Sequence, residues 1–320
     1  MVLLDLRKAF DSVWHEALLF KLYNNNIPLY LVKMIKSYLT NRTFTVKFQG
    51  AESHVYEVLS GVPQGSVLGP ILFNIFVNDI PKHADTHLAI FADDTAIYTS
   101  SWGTDWLTTR LQSHVDDILH FFTTWKMSIN SDKTEAILIT RKVIRQPPAI
   151  RIAGYDVLWS HKAKYLGIYL DRGLRWGPTI GDRVSKSMAA LRVLFPLINF
   201  RSKLRFELKL TLYKMCIRTI LLYAVPVWAP AAQKHLNKLQ IVQNKYLRVI
   251  LGKPRATLIS ELHSEANMPY INQIIEEMID RAYRSDHTNN LIAQLGNYET
   301  RDLPFKKIKC RLPKHFMSHT

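Results

Sequence analysis

The chain of 320 residues is poor in cysteine, poor in acidic residues and without a long unbroken apolar run. Its two cysteines, Cys216 and Cys310, are too few for a disulfide framework or a multi-cysteine zinc site, and they favour a reducing intracellular setting. The uncharged stretch Thr219 to Gln233 contains two prolines and is shorter than the roughly 18 residues of a spanning helix. Met1 runs directly into a strand-like segment, unlike a secretion signal. We therefore expect neither a structural zinc, a secreted protein nor a membrane span.

Basic residues outnumber acidic ones, 42 to 26, and the excess is concentrated in the C-terminal part of the chain. Residues 183–320 contain 23 Lys and Arg against 9 Asp and Glu, and within 183–253 Glu207 is the single acidic residue. Such segregation is typical of a surface that binds a polyanion. A solvated helical face that aids solubility is the alternative, but mixed signs serve solubility better. The charge pattern favours a nucleic-acid partner.

Apolar periodicity predicts a mixture of helices and strands in the first half and helices in the second. The predicted elements are helices at Trp14–Asn25, Leu29–Leu39, Ile71–Val77 and Asp105–Lys126, and strands at Thr43–Phe48, Val55–Leu59, Glu135–Thr140 and Tyr165–Leu170. A hairpin is predicted around Asp93. From Asp182 to Leu251 the pattern is helical, with breaks predicted at Phe195-Pro196 and near Pro226.

Three aspartates stand out because they interrupt or follow strand-like apolar runs. Asp93 and Asp94 lie between the runs LAIFA and TAIYT, and Asp5 follows the first apolar segment. Unpaired carboxylates in a dry environment cost several kcal/mol, a cost that a bound divalent metal offsets. Taken singly, a hairpin Asp-Asp pair is usually a solvated turn, and Asp5 could simply cap a helix. These residues alone therefore leave a metal site and ordinary turn or capping carboxylates both open.

Longer motifs contain these aspartates and resemble the reverse transcriptases of non-LTR retrotransposons, with the jockey-type elements as the closest likeness. The matching segments cover essentially the whole chain: Leu4–His15 (LDLRKAFDSVWH), Ser60–Pro70 (SGVPQGSVLGP), Phe91–Thr95 (FADDT), Ile129–Glu135 (INSDKTE), Lys164–Gly167 (KYLG), Leu221–Ala224 (LLYA), Val227-Trp228, Gln243–Lys245 (QNK) and Leu262-His263.

The resemblance implies an α+β fold whose first part is a polymerase palm, a mixed and mainly antiparallel sheet with helices. It divides the chain into a palm over residues 1–177, a basic all-α thumb over 178–255 and a C-terminal helical extension over 256–320, with a frayed tail from Arg301 to Thr320. Family polymerases carry a fingers subdomain before the first aspartate motif, whereas this chain begins four residues before Asp5. We therefore expect the fingers to be largely absent and the chain to be a piece of a longer open reading frame.

The resemblance also implies a two-metal mechanism of nucleotidyl transfer. Two Mg²⁺ ions, with Mn²⁺ as an alternative, would be held by Asp5 and Asp93, with Asp94 beside them and the Leu6 carbonyl as an additional ligand. Aspartate suits this role because Mg²⁺ prefers hard oxygen ligands. Asp11 is expected to be structural, because the start of a helix turns it away from the metals.

Further roles follow from the same motifs. Phe10 would lie under the sugar of the incoming dNTP and exclude a 2′-hydroxyl, Gln64 and Gly65 would contact the nucleotide, and Lys133 would protonate the departing pyrophosphate. The segment Tyr165-Leu166-Gly167 resembles the primer grip. Without the motifs, these residues would be a core phenylalanine, a surface turn, a solvated lysine and an ordinary strand.

The basic segment would be the thumb, which contacts the phosphates of an RNA/DNA hybrid through Lys186, Lys203, Arg205, Lys209 and Lys214. The partners implied are an RNA template, a DNA primer, their hybrid and dNTPs, and action in the nucleus follows from the resemblance. Two hypotheses stay open: an RNA-directed DNA polymerase, or a catalytically inactive remnant that only binds nucleic acid. Because one side of the triphosphate site would be missing, we expect the isolated chain to be weakly active or inactive and its full-length parent to be active.

Overall fold

The computed structural model describes residues 1–101 and 103–284, which form two compact units, one from Met1 to Leu166 and one that begins at Gly167. The first unit mixes helices and strands, and the second is mainly helical. This composition confirms the α+β class predicted from the sequence. The finer division into palm, thumb and extension remains a prediction, and the tail from Arg301 to Thr320 lies outside the described residues.

The first unit contains four α-helices among the described residues, and short strands between them. The helices are α1 (His15–Asn24), α2 (Leu29–Leu39), α3 (Leu68–Val77) and α4 (Thr104–Thr124). The strands are β1 (Val2–Leu4), β2 (Thr43–Phe44), β3 (Lys47–Phe48), β4 (Ala51–Glu52), β5 (Tyr56–Glu57), β6 (His87–Phe91), β7 (Asp94–Tyr98), β8 (Glu135–Ile137), β9 (Ile150–Ile152), β10 (Tyr155–Val157), β11 (Trp159–Ser160) and β12 (Lys162–Tyr165).

A five-stranded sheet in the order β11-β8-β1-β7-β6 forms the centre of this unit. β1 is antiparallel to both of its neighbours, and only β11 runs parallel to its partner β8. All three residues of β1 are buried, and Val2 and Leu4 belong to the same apolar core as residues of α1, α3 and α4. The sheet is thus mixed and mainly antiparallel, as the sequence predicted.

The core of the first unit comes from the apolar faces of the helices and from one buried lysine. α3 contributes Phe73 and Phe76, each fully buried. Lys21 of α1 donates hydrogen bonds to the Phe76 carbonyl at 2.6 Å and to Asp79 at 2.5 Å. Its ammonium also lies 4.0 Å from the centre of the Trp125 ring. These contacts satisfy a charge that burial would otherwise penalise, and they tie α1 to α3.

The second unit begins with β13 (Ile168–Asp171) and continues as helices and one π-helical segment, Tyr213–Arg218. The helices are α5 (Gly177–Ile198), α6 (Phe206–Leu212), α7 (Thr219–Leu221), α8 (Val225–Trp228), α9 (Gln233–Leu251), α10 (Ile259–Glu265) and α11 (Ile271–Arg284). α5 packs along α9, and the Tyr246 hydroxyl donates to the Ser187 carbonyl at 2.5 Å.

The structure corrects two predictions made from the sequence: a helix break at Phe195-Pro196 and a continuous strand over Tyr165–Leu170. Pro196 lies inside α5, which ends at Ile198, because a proline in the last turn removes a single backbone hydrogen bond and leaves the preceding helix intact. The strand predicted over Tyr165–Leu170 is interrupted by a tight turn at Leu166 and Gly167, both of which have positive φ, 45° and 76°. The pattern of apolar residues continued across this turn and therefore concealed it.

Candidate active site

Strand register places the three predicted aspartates at one end of the central sheet. β1 pairs with β7 so that Leu4 lies opposite Thr95, and one further step along this antiparallel register places Asp5 opposite Asp94. Phe91 pairs with Asp94, so Ala92 and Asp93 form the two-residue turn of the hairpin. The residues of the hairpin tip and of the β1 end therefore lie at the same end of the sheet.

The electrostatics of Asp94 show the proximity of the other two carboxylates. Partial burial, followed by the negative charges of Asp93 and Asp5, raises the pKa of Asp94 above its ordinary value, although Asp94 lies at the exposed end of β7. Tyr165 belongs to the same neighbourhood, because burial, Asp94 and Tyr98 raise the pKa of its hydroxyl. The three carboxylates therefore concentrate negative charge at this end of the sheet.

The segment around residue 130 is fastened to the chain just after β1. The backbone N–H of Asn130 donates to the Asp5 carbonyl at 2.7 Å, and that of Arg7 donates to the Ser128 carbonyl at 2.9 Å. Lys133 lies in the turn that follows, where its own N–H donates to the Asn130 carbonyl at 3.2 Å. These hydrogen bonds bring Lys133 close to Asp5, although the two residues are 128 positions apart in the sequence.

The glycine-rich loop is fixed against the segment that follows Asp5. The N–H of Gly61 donates to Val13 and that of Val62 to Phe10, both at 2.8 Å. Gly61 has a φ of 91°, and a Cβ atom there would lie 2.8 Å from the Asp11 Cα, so this close approach requires glycine. The Phe10 ring stacks on Phe73 with ring centres 4.6 Å apart.

Together these segments line a cavity of about 530 Å³ that is open to solvent. Its lining residues are Asp5, Leu6, Lys8, Ala9, Phe10, Pro63, Gln64, Gly65, Pro70, Asp93 and Lys133. Seven of these residues were predicted from the sequence, and they come from four separate segments of the chain. Sequence analysis did not single out Lys8, which takes a positive φ of 47° at the cavity edge; the motif around Asp5 was the signal that could have found it.

Comparison with known families identifies the family of this chain. Residues 1–170 match the family model described as "Reverse transcriptase (RNA-dependent DNA polymerase)". The chain belongs to the reverse transcriptase family. Its matched region contains every cavity-lining residue, and the resemblance noted from the sequence is therefore confirmed.

Curated relatives of this reverse transcriptase chain come from mobile elements. It is 33% identical over 98% of its length to the RNA-directed DNA polymerase from mobile element jockey of Drosophila funebris, and 32% identical over 98% to that of Drosophila melanogaster. It is 32% identical over 99% to the probable RNA-directed DNA polymerase from transposon X-element of Drosophila melanogaster. The chain spans 35% of the length of each of these relatives.

Among solved structures, telomerase from Candida albicans in complex with a TWJ fragment of telomeric RNA matches 84% of this chain and 51% of its own. The TM-score is 0.40 at 12% identity. A second telomerase structure, from Candida tropicalis, has a TM-score of 0.35. Likeness at this level is too weak to establish the fold.

The carboxylates of this reverse transcriptase chain suit a hard divalent cation by their chemistry. Within residues 1–101 and 103–284, however, no group of three or more His, Cys, Asp and Glu side chains is assembled to hold a metal ion. The pKa of Asp94 is raised by burial first and then by the charges of Asp93 and Asp5. An ion held by these carboxylates would need further ligands from substrate and water.

The predicted primer-grip glycine of this reverse transcriptase chain is fixed by contacts within the second unit. Arg183 donates a hydrogen bond to the Gly167 carbonyl at 2.5 Å, and its guanidinium lies 4.7 Å from the centre of the Tyr223 ring. A Cβ atom on Gly167 would lie 3.4 Å from the same ring. Positive φ values at Leu166 and Gly167 make the turn tight.

Four of the five predicted nucleic-acid-binding side chains are exposed: Lys186, Lys203, Arg205 and Lys214. Lys186 also forms an ion pair with Asp182 at 2.8 Å. Lys209 is the correction. It is 4% exposed, and its ammonium donates to the carbonyls of Asn199, Phe200 and Ser202 just beyond the end of α5, so it is not placed to contact a phosphate.

Two other findings limit what the described residues offer elsewhere. A larger open cavity, about 1020 Å³, is lined by residues of α4, β9 and the adjoining loops, and it contains none of the predicted site residues. Every helix within residues 1–101 and 103–284 is too short or too polar to span a bilayer.

Proposed function

We propose that this chain carries the catalytic centre of an RNA-directed DNA polymerase that joins a dNTP to a primer 3′-hydroxyl on an RNA template. The observation that carries the proposal is the cavity in which Asp5, Asp93, Phe10, Gln64 and Lys133 converge. Its walls offer carboxylates that can bind cations, an amine that can bind an anion and an aromatic ring that can pack against a sugar.

Asp5 and Asp93, with Asp94 and the Leu6 carbonyl alongside, would hold two Mg²⁺ ions, or Mn²⁺, which supply activation of the hydroxyl and neutralisation of the triphosphate. Lys133 would hold a proton beside the leaving pyrophosphate. The Phe10 ring, supported from behind by Phe73, would exclude a 2′-hydroxyl.

The first unit would thus be the palm, and the second would supply a thumb. Tyr165, whose hydroxyl feels the charge of Asp94, would lie with Leu166 and Gly167 at the primer end, where misalignment lowers the rate. Lys186, Lys203, Arg205 and Lys214 would contact the phosphates of the RNA/DNA hybrid through its helical shape. Copying at chromosomal DNA would place this activity in the nucleus.

Primer extension tests the function directly. The chain is incubated at high concentration with a DNA primer on an RNA template, dNTPs and Mg²⁺, beside Asp93→Ala and the control Asp156→Asn, an exposed residue of β10. We expect weak extension by the chain and by the control, and none by Asp93→Ala. Equal background from all three would retire the enzymatic proposal and leave the alternative, a chain that only binds nucleic acid.

A further inference from the structure

Asp11 contacts the glycine-rich loop in a way that its position in the sequence did not reveal. It ends the 3-10 turn Ala9–Asp11, and its carboxylate accepts a hydrogen bond from Gln64 Nε2 at 2.7 Å. Its backbone carbonyl separately accepts from the Ser60 hydroxyl at 2.9 Å. The residue therefore bridges the segment after Asp5 to the side chain predicted to meet the nucleotide.

The chemistry of this hydrogen bond determines the orientation of the Gln64 amide. An ionised carboxylate has acceptors and no donor, so Gln64 must turn its NH₂ group towards Asp11. The carbonyl oxygen Oε1 then points away from Asp11, and within the described ranges it has no hydrogen-bond partner. Gln64 lines the cavity of about 530 Å³, where Oε1 is an acceptor for a ligand and the second N–H of the amide is a donor.

The loop backbone does not depend on the Asp11 carboxylate. The N–H groups of Gly61 and Val62 donate to backbone carbonyls, and the His15 ring forms a buried hydrogen bond with the Gly61 carbonyl at 2.8 Å. Removal of the carboxylate should therefore release the Gln64 side chain while the loop keeps its path.

We propose that Asp11 is a positioning residue that fixes the amide of Gln64 so that Oε1 accepts a hydrogen bond from the nucleoside part of the incoming dNTP. Phosphate oxygens are acceptors at neutral pH and cannot satisfy Oε1, so its partner is a hydroxyl or amino group. This inference rests on the proposed function. It assigns Asp11 a role in dNTP affinity rather than in the chemical step.

A double-mutant cycle tests it, with Asp11→Ala, Gln64→Ala and both together compared by steady-state primer extension at varied dNTP. One lost hydrogen bond corresponds to about a two- to tenfold change. We expect Asp11→Ala to raise the KM for dNTP by about that factor with kcat within about twofold, and to have no further effect when Gln64 is already alanine. Asp11→Asn, which can pair with either amide orientation, should lie between the wild type and Asp11→Ala.

Ser60→Ala is the matched control, because it removes the neighbouring hydrogen bond to the Asp11 carbonyl without touching Gln64. It should leave the KM for dNTP unchanged. Additive effects of the two alanine substitutions, or an equal rise in KM for Ser60→Ala, would show that Asp11 only stabilises the loop and would overturn the inference.

Equilibrium binding separates this inference from the proposed function. Calorimetric titration of dGTP into the same proteins with Mg²⁺ needs no turnover. If the chain binds dGTP but extends no primer, the polymerase proposal fails for the chain, and the cycle is completed on dissociation constants. If all variants bind dGTP equally, or none of the proteins binds it, the role of Asp11 is refuted.

Discussion

At the residue scale, the environment of Asp94 makes the ionised form of its carboxylate unfavourable. Burial and the neighbouring carboxylates raise its pKa, which means that ionisation is harder in the folded protein than in the unfolded chain. Its ionised form therefore works against folding at neutral pH. The residues of the site were predictable because they belong to motifs, whereas this energetic conflict depends on a strand register that no single motif states.

Asp94→Asn should therefore raise the thermal unfolding midpoint in buffer with EDTA, since a neutral amide relieves the repulsion. Mg²⁺ at millimolar concentration should stabilise the wild type more than the variant, because a cation has less charge to neutralise in the variant. Differential scanning calorimetry measures both midpoints, with Asp156→Asn as a surface control. A variant less stable than the wild type in EDTA, and equally stabilised by Mg²⁺, would contradict the account.

His114 is a second residue whose environment predicts a measurable pH dependence. It is fully buried in α4, its Nε2 faces the Pro81 carbonyl at 2.9 Å, and its ring stacks on His83 with centres 4.3 Å apart. Burial lowers the pKa of His114, and this outweighs the opposing contributions of the Pro81 hydrogen bond and of Asp117, which is hydrogen-bonded to His83. A folded-state pKa below the ordinary 6.5 means that the unfolded chain binds the proton more readily.

The resulting stability is present above about pH 6.5 and is lost as the pH falls below that value. We expect urea unfolding between pH 7.5 and 5.5 to show a decreasing free energy for the wild type, by at most about 1.4 kcal/mol per pH unit for this proton. His114→Gln should have a shallower pH dependence, whatever its absolute stability. His120→Gln, an exposed change on the same helix, should keep the wild-type slope, and equal slopes in all three proteins would argue against the assignment.

At the scale of elements, sequence patterns predicted helices and strands whose burial repeats along the chain, but they missed single turns. The amphipathic pattern of α4 and the hairpin of β6 and β7 were visible because burial repeats along them. The turn at Leu166 and Gly167 was concealed because its first residue is apolar and leucine rarely takes a positive φ. The break predicted at Pro196 was wrong because the position of a proline within a helix, and not its presence alone, sets the cost.

At this scale Lys209 yields a prediction, because its ammonium donates to the carbonyls of Asn199, Phe200 and Ser202 in the segment that follows α5. Lys209→Met removes this donor and should lower the free energy of unfolding by roughly 1–3 kcal/mol, because hydrogen bonds to a charged group are lost. Its effect on the salt dependence of RNA/DNA affinity should be negligible. Urea unfolding and binding titrations at several salt concentrations measure the two properties.

The exposed Lys214 is the matched control and should show the opposite behaviour. Lys214→Met should change stability by less than about 0.5 kcal/mol and should weaken the salt dependence of binding. If Lys209→Met alters the salt slope and leaves stability intact, the structural role assigned to its ammonium is wrong.

For the whole molecule, the distribution of charged residues along the chain was predictable from the sequence, but which of their side chains are exposed was not. Formal charges add without reference to the fold, so the excess of basic residues over 183–320 is certain once the sequence is known. Packing decides whether a lysine ammonium group is exposed to solvent or donates to backbone carbonyls, as it does at Lys209. A surface for polyanions therefore has to be assigned from exposed residues only.

Charge reversal at two exposed positions of the second unit tests that surface. Lys203→Glu with Lys214→Glu removes two cations from the proposed phosphate contacts, so about two fewer counterions should be released on binding. The slope of log affinity against log salt for an RNA/DNA hybrid should then fall in magnitude by about 1.8.

Lys33→Glu with Lys36→Glu in α2 is the control, because it changes the net charge by the same amount on the first unit, where no phosphate contact is proposed. This control should lower affinity at low salt through the overall field and leave the slope nearly unchanged. Identical slopes for the two double variants would show that net charge alone governs binding, and the assignment of Lys203 and Lys214 to the interface would have to be abandoned.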